Sequence, residues 1–234
     1  MINQKILAII PARGGSKRIF KKNIKELCGK PLIYYSINSA RHSKYIDKVI
    51  VSTNDEEIKD ISKNFGSEII ERPNELAKDD SPTIDVIFHV LNVLKKENYE
   101  PTLIILIQPT SPLRNIEDID KAIELSLKSK NNTLISVSEV KHPPYWCFKI
   151  KKGFLKPLFN KKYLKMRGQD FEKIYSPNGA IFISNPNELY KSKTFYSKNA
   201  IPYIMPLERG IDIDNEFDFM IAEFLMQKSK INTG

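Results

Sequence analysis

The chain predicts an α/β fold built on a mostly parallel sheet with helices on both faces. Apolar runs rich in Ile, Leu and Val recur over residues 5–10, 48–51, 103–107 and 133–137, as strands buried on both faces require. Between them, residues 31–42, 55–65, 83–97 and 116–128 carry apolar side chains at three- and four-residue steps, the helical period. The resulting βαβα order calls for crossover helices and puts ligands at the carboxyl ends of the strands.

In chain order, the first strand runs into a loop, residues 10–23, that holds Gly14, Gly15 and five cationic side chains. Glycines let such a loop turn tightly and present bare N–H groups, while Arg13, Lys17 and Lys22 supply charge, which together suit phosphates. The loop matches neither the dinucleotide fingerprint, whose third glycine is absent, nor the P-loop. A solvated βα connection is the plainer alternative. Pro31 suits the first turn of the helix that follows, and Gly66 suits the C-terminal cap of the next one. After the strand at 103–107 comes Gln108-Pro-Thr-Ser-Pro-Leu-Arg114, polar side chains where an α/β sheet binds ligands, or else a turn leading to Asn115 as a helix cap. The pattern breaks over residues 141–176, where adjacent prolines, Trp146, several aromatics and a lysine cluster predict an excursion from the sheet. Residues 180–184 and 200–206 read as further strands, and 216–227 as a closing helix with Phe217, Met220, Ile221, Phe224 and Leu225 on its packed face. Just before it stands Ile211-Asp-Ile-Asp214. In an extended segment both carboxylates project together, the pattern of a Mg²⁺ site, while a simpler role would make Asp214 the helix N-cap.

Composition narrows the partners. The 234 residues suit one domain and carry 37 Lys and Arg against 28 Asp and Glu, a net charge of +9 that favours an anionic partner. Cys28 and Cys147 lie far apart outside any Cys-x-x-Cys pattern, so neither a disulfide framework nor a zinc site is expected, and a reducing cytoplasm fits. The first apolar run is too short to span a membrane and lacks a small-residue cleavage site, so a soluble, unexported protein without membrane partners is expected. His42, His89 and His142 have no metal-ligand spacing, and His89 falls on an apolar helix face as a packed histidine.

Taken in order, Ala12-Arg-Gly-Gly-Ser-Lys17 with Lys22 and Asn23, Gly29-Lys-Pro-Leu32, Val51-Ser-Thr53 with Asp55, the Gln108–Arg114 run, Asn178-Gly-Ala180 and Ile211-Asp-Ile-Asp214 resemble the N-acylneuraminate cytidylyltransferases, or CMP-sialic acid synthetases, together with the enzymes for legionaminic and pseudaminic acids. The resemblance runs from about Ile6 to Leu225. It implies a Rossmann-like fold of the nucleotidyltransferase type, in which an acidic nine-carbon sugar is activated by CTP to a CMP-sugar and pyrophosphate. By position it implies that Arg13, Ser16, Lys17 and Asn23 embrace CTP, that Lys22 lies near the leaving pyrophosphate, and that Arg72 and Ser81 contact the nucleotide. Gln108 matches a sugar-contacting glutamine, Asp212 and Asp214 match a Mg²⁺ pair, and Arg167 matches an arginine important for activity. Residues 141–176 correspond to a small inserted dimerisation or lid segment, so a homodimer is expected. Phe20 stands where the family often has proline, and Gly168 where it usually has a second arginine. The related enzymes for the eight-carbon acid KDO are the nearest alternative.

Phosphoryl-type transfer of this kind depends on alignment and charge neutralisation, which Arg13, Lys17, Lys22 and a cation on Asp212 and Asp214 would supply without a protein nucleophile. The group that takes the sugar proton stays open between Asp212 and water activated by the cation. From a different class, the +9 charge and the Tyr- and Lys-rich residues 151–165 would also suit a nucleic-acid-binding module. That reading leaves two carboxylates facing a phosphate backbone, so no nucleic-acid partner is expected.

Overall fold

The computed structural model describes residues 4–129 and 133–231. The chain runs from β1 (Ile6–Pro11) through a small hairpin, β2 (Glu26–Leu27) and β3 (Lys30–Pro31), to α1 (Leu32–Arg41), β4 (Lys48–Thr53), α2 (Glu56–Asn64) and β5 (Glu68–Glu71). Then follow α3 (Thr83–Lys96), β6 (Leu103–Leu106), α4 (Ile116–Lys128) and β7 (Thr133–Glu139). After a second hairpin, β8 (Phe148–Lys151) and β9 (Phe154–Pro157), the chain completes the fold with β10 (Tyr175–Ser184), α5 (Pro186–Ser192), β11 (Ile201–Ile204) and α6 (Glu216–Ile231).

Seven strands make one sheet in the order β11-β7-β10-β6-β1-β4-β5. Neighbours run parallel except around β10, which is antiparallel to both β6 and β7. Alternation along β1 explains the two layers of core. Ile6, Ala8 and Ile10 pack with Ile33 and Ile37 of α1, Ile58 of α2 and Ile119 and Ile123 of α4. Leu7 and Ile9 face the other way, onto Ile87, Val90 and Leu94 of α3 and Leu189 of α5. Each such fully buried aliphatic side chain contributes on the order of 1.5–3 kcal/mol relative to exposure. The mostly parallel sheet covered on both faces is therefore the one the sequence predicts.

Helix ends follow local chemistry. Asp55 caps α2 by accepting from the Ile58 N–H, Gly66 takes a φ of 80° just past its end, and Asn115 with Asp118 forms a reciprocal capping box on α4. Pro31 stands one residue earlier than predicted, at the N-cap of α1. Several elements escape the sequence pattern, among them β5, α5 and the two short hairpins. β5 is a four-residue edge strand with glutamates at both ends and only Ile70 buried, and α5 is a single short helix opened by Asn185 and Pro186.

The closing helix packs on a different stripe from the one predicted. Phe219, Ala222 and Met226 are buried against Ile19, Leu27 and Leu32, whereas Phe217, Met220 and Phe224 stay exposed at 65%, 58% and 56%. Both stripes have helical spacing, so periodicity alone does not choose between them. Ile213, fully buried in the same cluster just ahead of the helix, sets the rotation.

Between β7 and β10 the chain leaves the sheet and returns, the Val140 N–H donating to the Ile174 carbonyl at the root (2.8 Å). Lys152 and Gly153, with φ of 50° and 79°, close the β8–β9 hairpin in the paired left-handed geometry that suits tight hairpins. Tyr145 stacks on Tyr163 and Phe171 at centroid distances of 4.7 and 5.2 Å, giving this segment its own aromatic cluster. Its hairpin residues Ile150, Phe154 and Leu155 remain 64–75% exposed.

Candidate active site

At the carboxyl edge of the sheet, where β1 and β6 lie side by side and the chain moves off in opposite directions, a cleft of about 610 Å³ opens. Arg13, Ser16, Lys17, Lys22, Asn23, Arg72, Ser81, Gln108, Asp212 and Asp214 all line it. Of the site residues that the family resemblance implies, Arg167 alone is elsewhere. It sits on the excursion, bonded through Nε to Asp170 at 3.2 Å.

The loop after β1 forms one wall. Gly15 adopts φ 72°, and a Cβ at Gly14 would stand 2.7 Å from an Asp55 oxygen, so both glycines are needed for conformation or space. The Gly14 N–H is not bare as expected of a phosphate loop, because it donates to Asn54 Oδ1 at 3.1 Å. Buried Asn23 donates to the Arg13 carbonyl (2.9 Å) and ties the loop's two ends together. Arg13 crosses the cleft, donating to the Ala77 carbonyl (3.2 Å) and pairing with Asp79 at 2.6 Å, and Lys17 pairs with the same carboxylate. Phe20 is 82% exposed and points away from these contacts into solvent.

Behind Arg13 lies Arg72, buried and donating to the Ser52 carbonyl (2.7 Å) and hydroxyl (3.3 Å). Burial, with Arg13 beside it, pushes its guanidinium down to about 10. Ser81 donates to the Glu75 carbonyl at 3.0 Å, shaping the loop that leads into α3. His89 on α3 is half-buried, and that burial pushes it below the ordinary histidine range, consistent with a packed neutral ring.

The floor is built from Gln108, the Asn178–Gly179 bulge and the paired aspartates. Gly179 has φ 74°, and a Cβ there would come within 2.9 Å of Gln108 Oε1 and 3.4 Å of Asp212 Oδ2. Buried Asn178 fixes this bulge: it accepts from Ser136 (2.6 Å) and donates to Ser138 (3.0 Å), while Gly210 leaves it room. Arg114, fully enclosed, donates to the Gln108 carbonyl (3.3 Å), the Ala180 carbonyl (2.9 Å) and the Ser36 hydroxyl (2.7 Å). Burial drives its pKa down to about 9.

Asp212 and Asp214 flank buried Ile213, whose N–H donates to the Thr110 carbonyl (2.8 Å) and whose carbonyl accepts from Lys22 Nζ (2.8 Å). Burial first, opposed by a bond from Thr110, and then the charge of Asp214 raise the Asp212 carboxyl above its ordinary range. Burial conversely lowers Lys22, against the pull of Asp214 and Asp212. Asp214 also faces Arg18 at 3.3 Å. It is not the helix cap: Asn215 accepts from the Phe217 and Asp218 N–H groups, and Asp218 returns bonds to the N–H groups of Asp214 and Asn215. That reciprocal capping box leaves the Asp214 carboxylate to the cleft.

Sequence reading missed Asp79, Thr110 and the positioning role of Arg114. Thr110 and Arg114 belong to the Gln108–Arg114 run, but their roles depend on long-range partners. Asp79 follows the unrecognised β5, so no strand end marked its loop. Gly168, the departure in the arginine motif, packs against Trp146: a Cβ there would stand 3.2 Å from the indole.

Residues 7–231 match the family described as cytidylyltransferase. The chain is 35% identical over 232 residues to the N-acylneuraminate cytidylyltransferase of Escherichia coli, an alignment covering 96% of this chain and 52% of that protein, so it spans about half that relative's length. It is 34% identical to the CMP-N,N'-diacetyllegionaminic acid synthase of Legionella pneumophila, over 95% of this chain and 97% of that one. With the pseudaminic acid cytidylyltransferase of Campylobacter jejuni the identity is 30%, over 94% and 96%. A solved CMP:2-keto-3-deoxy-manno-octonic acid synthetase complexed with CTP superposes with a TM-score of 0.72 at 17% identity, covering 97% of this chain and 100% of that one, a likeness of fold. Ordered motifs, sheet topology and the match over almost all of its length agree: the chain belongs to the cytidylyltransferase family.

Proposed function

We propose that the protein transfers the cytidylyl group of CTP to an acidic nine-carbon sugar, giving a CMP-sugar and pyrophosphate. The observation that carries this reading is one cleft with Arg13, Lys17, Lys22 and Arg72 on its walls and the Asp212–Asp214 pair at its floor. The three relatives are named for N-acylneuraminate, diacetyllegionaminic acid and pseudaminic acid, which supports a sugar acid of this class.

In the reaction the anomeric hydroxyl oxygen of the sugar forms a bond to the α-phosphorus. The bond to the β-phosphate bridging oxygen breaks, and pyrophosphate leaves with that electron pair. Arg13 and Lys17 hold the triphosphate, Lys22 meets the charge that builds on the leaving group, and Arg72 with Ser16, Asn23 and Ser81 forms the nucleotide's surroundings. Gln108, seated over Gly179 next to Asp212, orients the sugar. The hydroxyl proton passes to a basic group at the floor, where Asp212 is the carboxyl that burial holds above its ordinary range. No side chain has to act as a nucleophile.

The donor set fits Mg²⁺. Asp212 and Asp214 offer hard oxygens at the floor of the cleft, and an ion held there would take its remaining ligands from phosphate and water. Bound there, Mg²⁺ neutralises charge on the triphosphate. We also propose a cytoplasmic homodimer paired through the excursion, whose exposed Ile150, Phe154 and Leu155 form the apolar surface a second copy would cover and whose Arg167 joins the reaction only through that pairing. Among the described residues no helix is long and apolar enough to cross a membrane.

The test is pyrophosphate release from CTP and Mg²⁺ with a panel of sialic, legionaminic and pseudaminic acids and KDO. Product with at least one nine-carbon acid is expected. Turnover with KDO alone would replace the sugar class, and tight nucleic-acid binding without any turnover would end the enzyme reading.

A further inference from the structure

The Asp79 carboxylate lies across the mouth of the cleft, on the loop between β5 and α3, and pairs with both Arg13 (2.6 Å) and Lys17 from the opposite wall. The same two pairs hold this carboxyl below the ordinary carboxylate range, Lys17 contributing most and Arg13 next. Its loop is itself fixed: Ser81 donates to the Glu75 carbonyl, and Arg13 also donates to the Ala77 carbonyl two residues before Asp79. Two cations of a phosphate-type loop are thus already engaged by an anion that the protein carries.

We propose that Asp79 is an affinity-setting residue, an internal stand-in for phosphate that competes with any polyphosphate for Arg13 and Lys17. This rests on the reading of the cleft as the triphosphate site. A second anion brought to the same cations either moves Asp79 away or sits against its like charge, so the carboxylate weakens binding in both cases. The penalty falls on every polyphosphate that reaches these cations, including the pyrophosphate product. A ligand that also gains contacts at Arg72 and at the Asp212 end offsets it, whereas bare pyrophosphate does not. Asp79 therefore weakens all polyphosphates by a similar factor, leaving the complete nucleotide held through its other contacts while speeding release of the product.

Calorimetric binding of inorganic tripolyphosphate, measured without nucleotide or sugar, tests this on wild type, Asp79→Asn and Asp79→Glu, with Asp80→Asn as a control for loss of one exposed carboxylate from the same loop. Asp79→Asn is expected to bind tripolyphosphate about three- to tenfold more tightly, the scale that two solvent-screened ion pairs allow. Asp79→Glu should return towards wild type, and Asp80→Asn should change affinity by less than about twofold. In turnover assays, pyrophosphate should inhibit Asp79→Asn at correspondingly lower concentration. Unchanged or weaker tripolyphosphate binding in Asp79→Asn overturns the proposal, making Asp79 a support that presets the two cations. Equal tightening in Asp80→Asn overturns it too, because the effect would then be one of overall charge. Failure of wild type to consume CTP with any sugar acid, with the tripolyphosphate effect intact, would remove the cytidylyl-transfer reading and leave the displaced-anion role standing.

Discussion

The cleft and the excursion are built on opposite plans. At the cleft, polar side chains from five separate stretches of sequence converge, and nearly every one is held by a partner: Asn23 by the Arg13 carbonyl, Arg72 by Ser52, Asn178 by two serines. On the excursion, polar contacts stay within the segment and its root, from the exposed Arg167–Asp170 pair three residues apart to the Trp146 indole N–H on the Tyr163 carbonyl, while large apolar side chains face outward. A site that must hold charges without relaxing is carried by the doubly covered sheet, where each group is over-determined. A hairpin with little beneath it leaves its apolar side chains facing solvent instead. The difference predicts how steeply each region responds to substitution.

The largest effect is expected at the floor. Asp212→Asn or Asp214→Asn should lower CTP turnover about a thousandfold and abolish its Mg²⁺ dependence, read by pyrophosphate release across a Mg²⁺ titration. Asp212→Asn should at the same time unfold at higher temperature than wild type at pH 7 in chelator. Its carboxyl is raised in the folded protein, so the stability it adds is present below its unfolded pKa and lost as pH rises through the folded value; at neutral pH the charge is a liability that the amide removes. Wild-type metal dependence in both variants would dissolve the distinction between floor and surface.

Next come the walls. Lys22→Ala and Arg13→Ala should each cost roughly a hundredfold in turnover, the loss of one electrostatic contact in the transition state. Near-normal rates in both would return the loop to an ordinary solvated connection. Gly179→Ala is expected to be milder for chemistry, about tenfold, but to lower Tm as well, since a left-handed alanine costs about 1–2 kcal/mol and its Cβ presses on Gln108 Oε1. An unaffected Tm with full activity would show that the floor tolerates what its geometry forbids.

The smallest effect on the fold belongs to the hairpin. Ile150→Glu with Leu155→Glu should leave Tm within the range of ordinary exposed substitutions, about 0.5 kcal/mol or less per site, yet weaken self-association measured by sedimentation. Arg167→Ala sharpens the comparison. If it slows turnover as far as Lys22→Ala does while the double glutamate variant loses both association and activity, the two regions work as one site across two copies.

Much of this arrangement was legible in the sequence because it depends on local chemistry. Apolar runs marked β1, β4, β6 and β7, Asn115 marked its helix start, and a glycine-containing basic loop directly after β1 marked one wall. What stayed hidden depends on partners far along the chain. Arg114 has its meaning from Ala180, Ser36 and Gln108, and Asp79 from Arg13 and Lys17. The face of α6 was misread because two stripes fit one helical period, and only Ile19, Leu27 and Leu32 select between them. Asp214 resembled a cap by position, but Asn215 offered the better-placed oxygen.

The bond from Lys22 to the Ile213 carbonyl joins residues 191 apart, and the Lys25–Glu216 pair spans the same separation. During synthesis, the basic loop after β1 emerges long before the floor that faces it. A nascent chain can form β1 and fill its loop with cations while it still lacks both aspartates, so it can gather anions but cannot complete the cleft. Closure waits for some of the longest-range contacts in the molecule, which are also the slowest to find. The cleft therefore takes its final shape only once the last helix has docked.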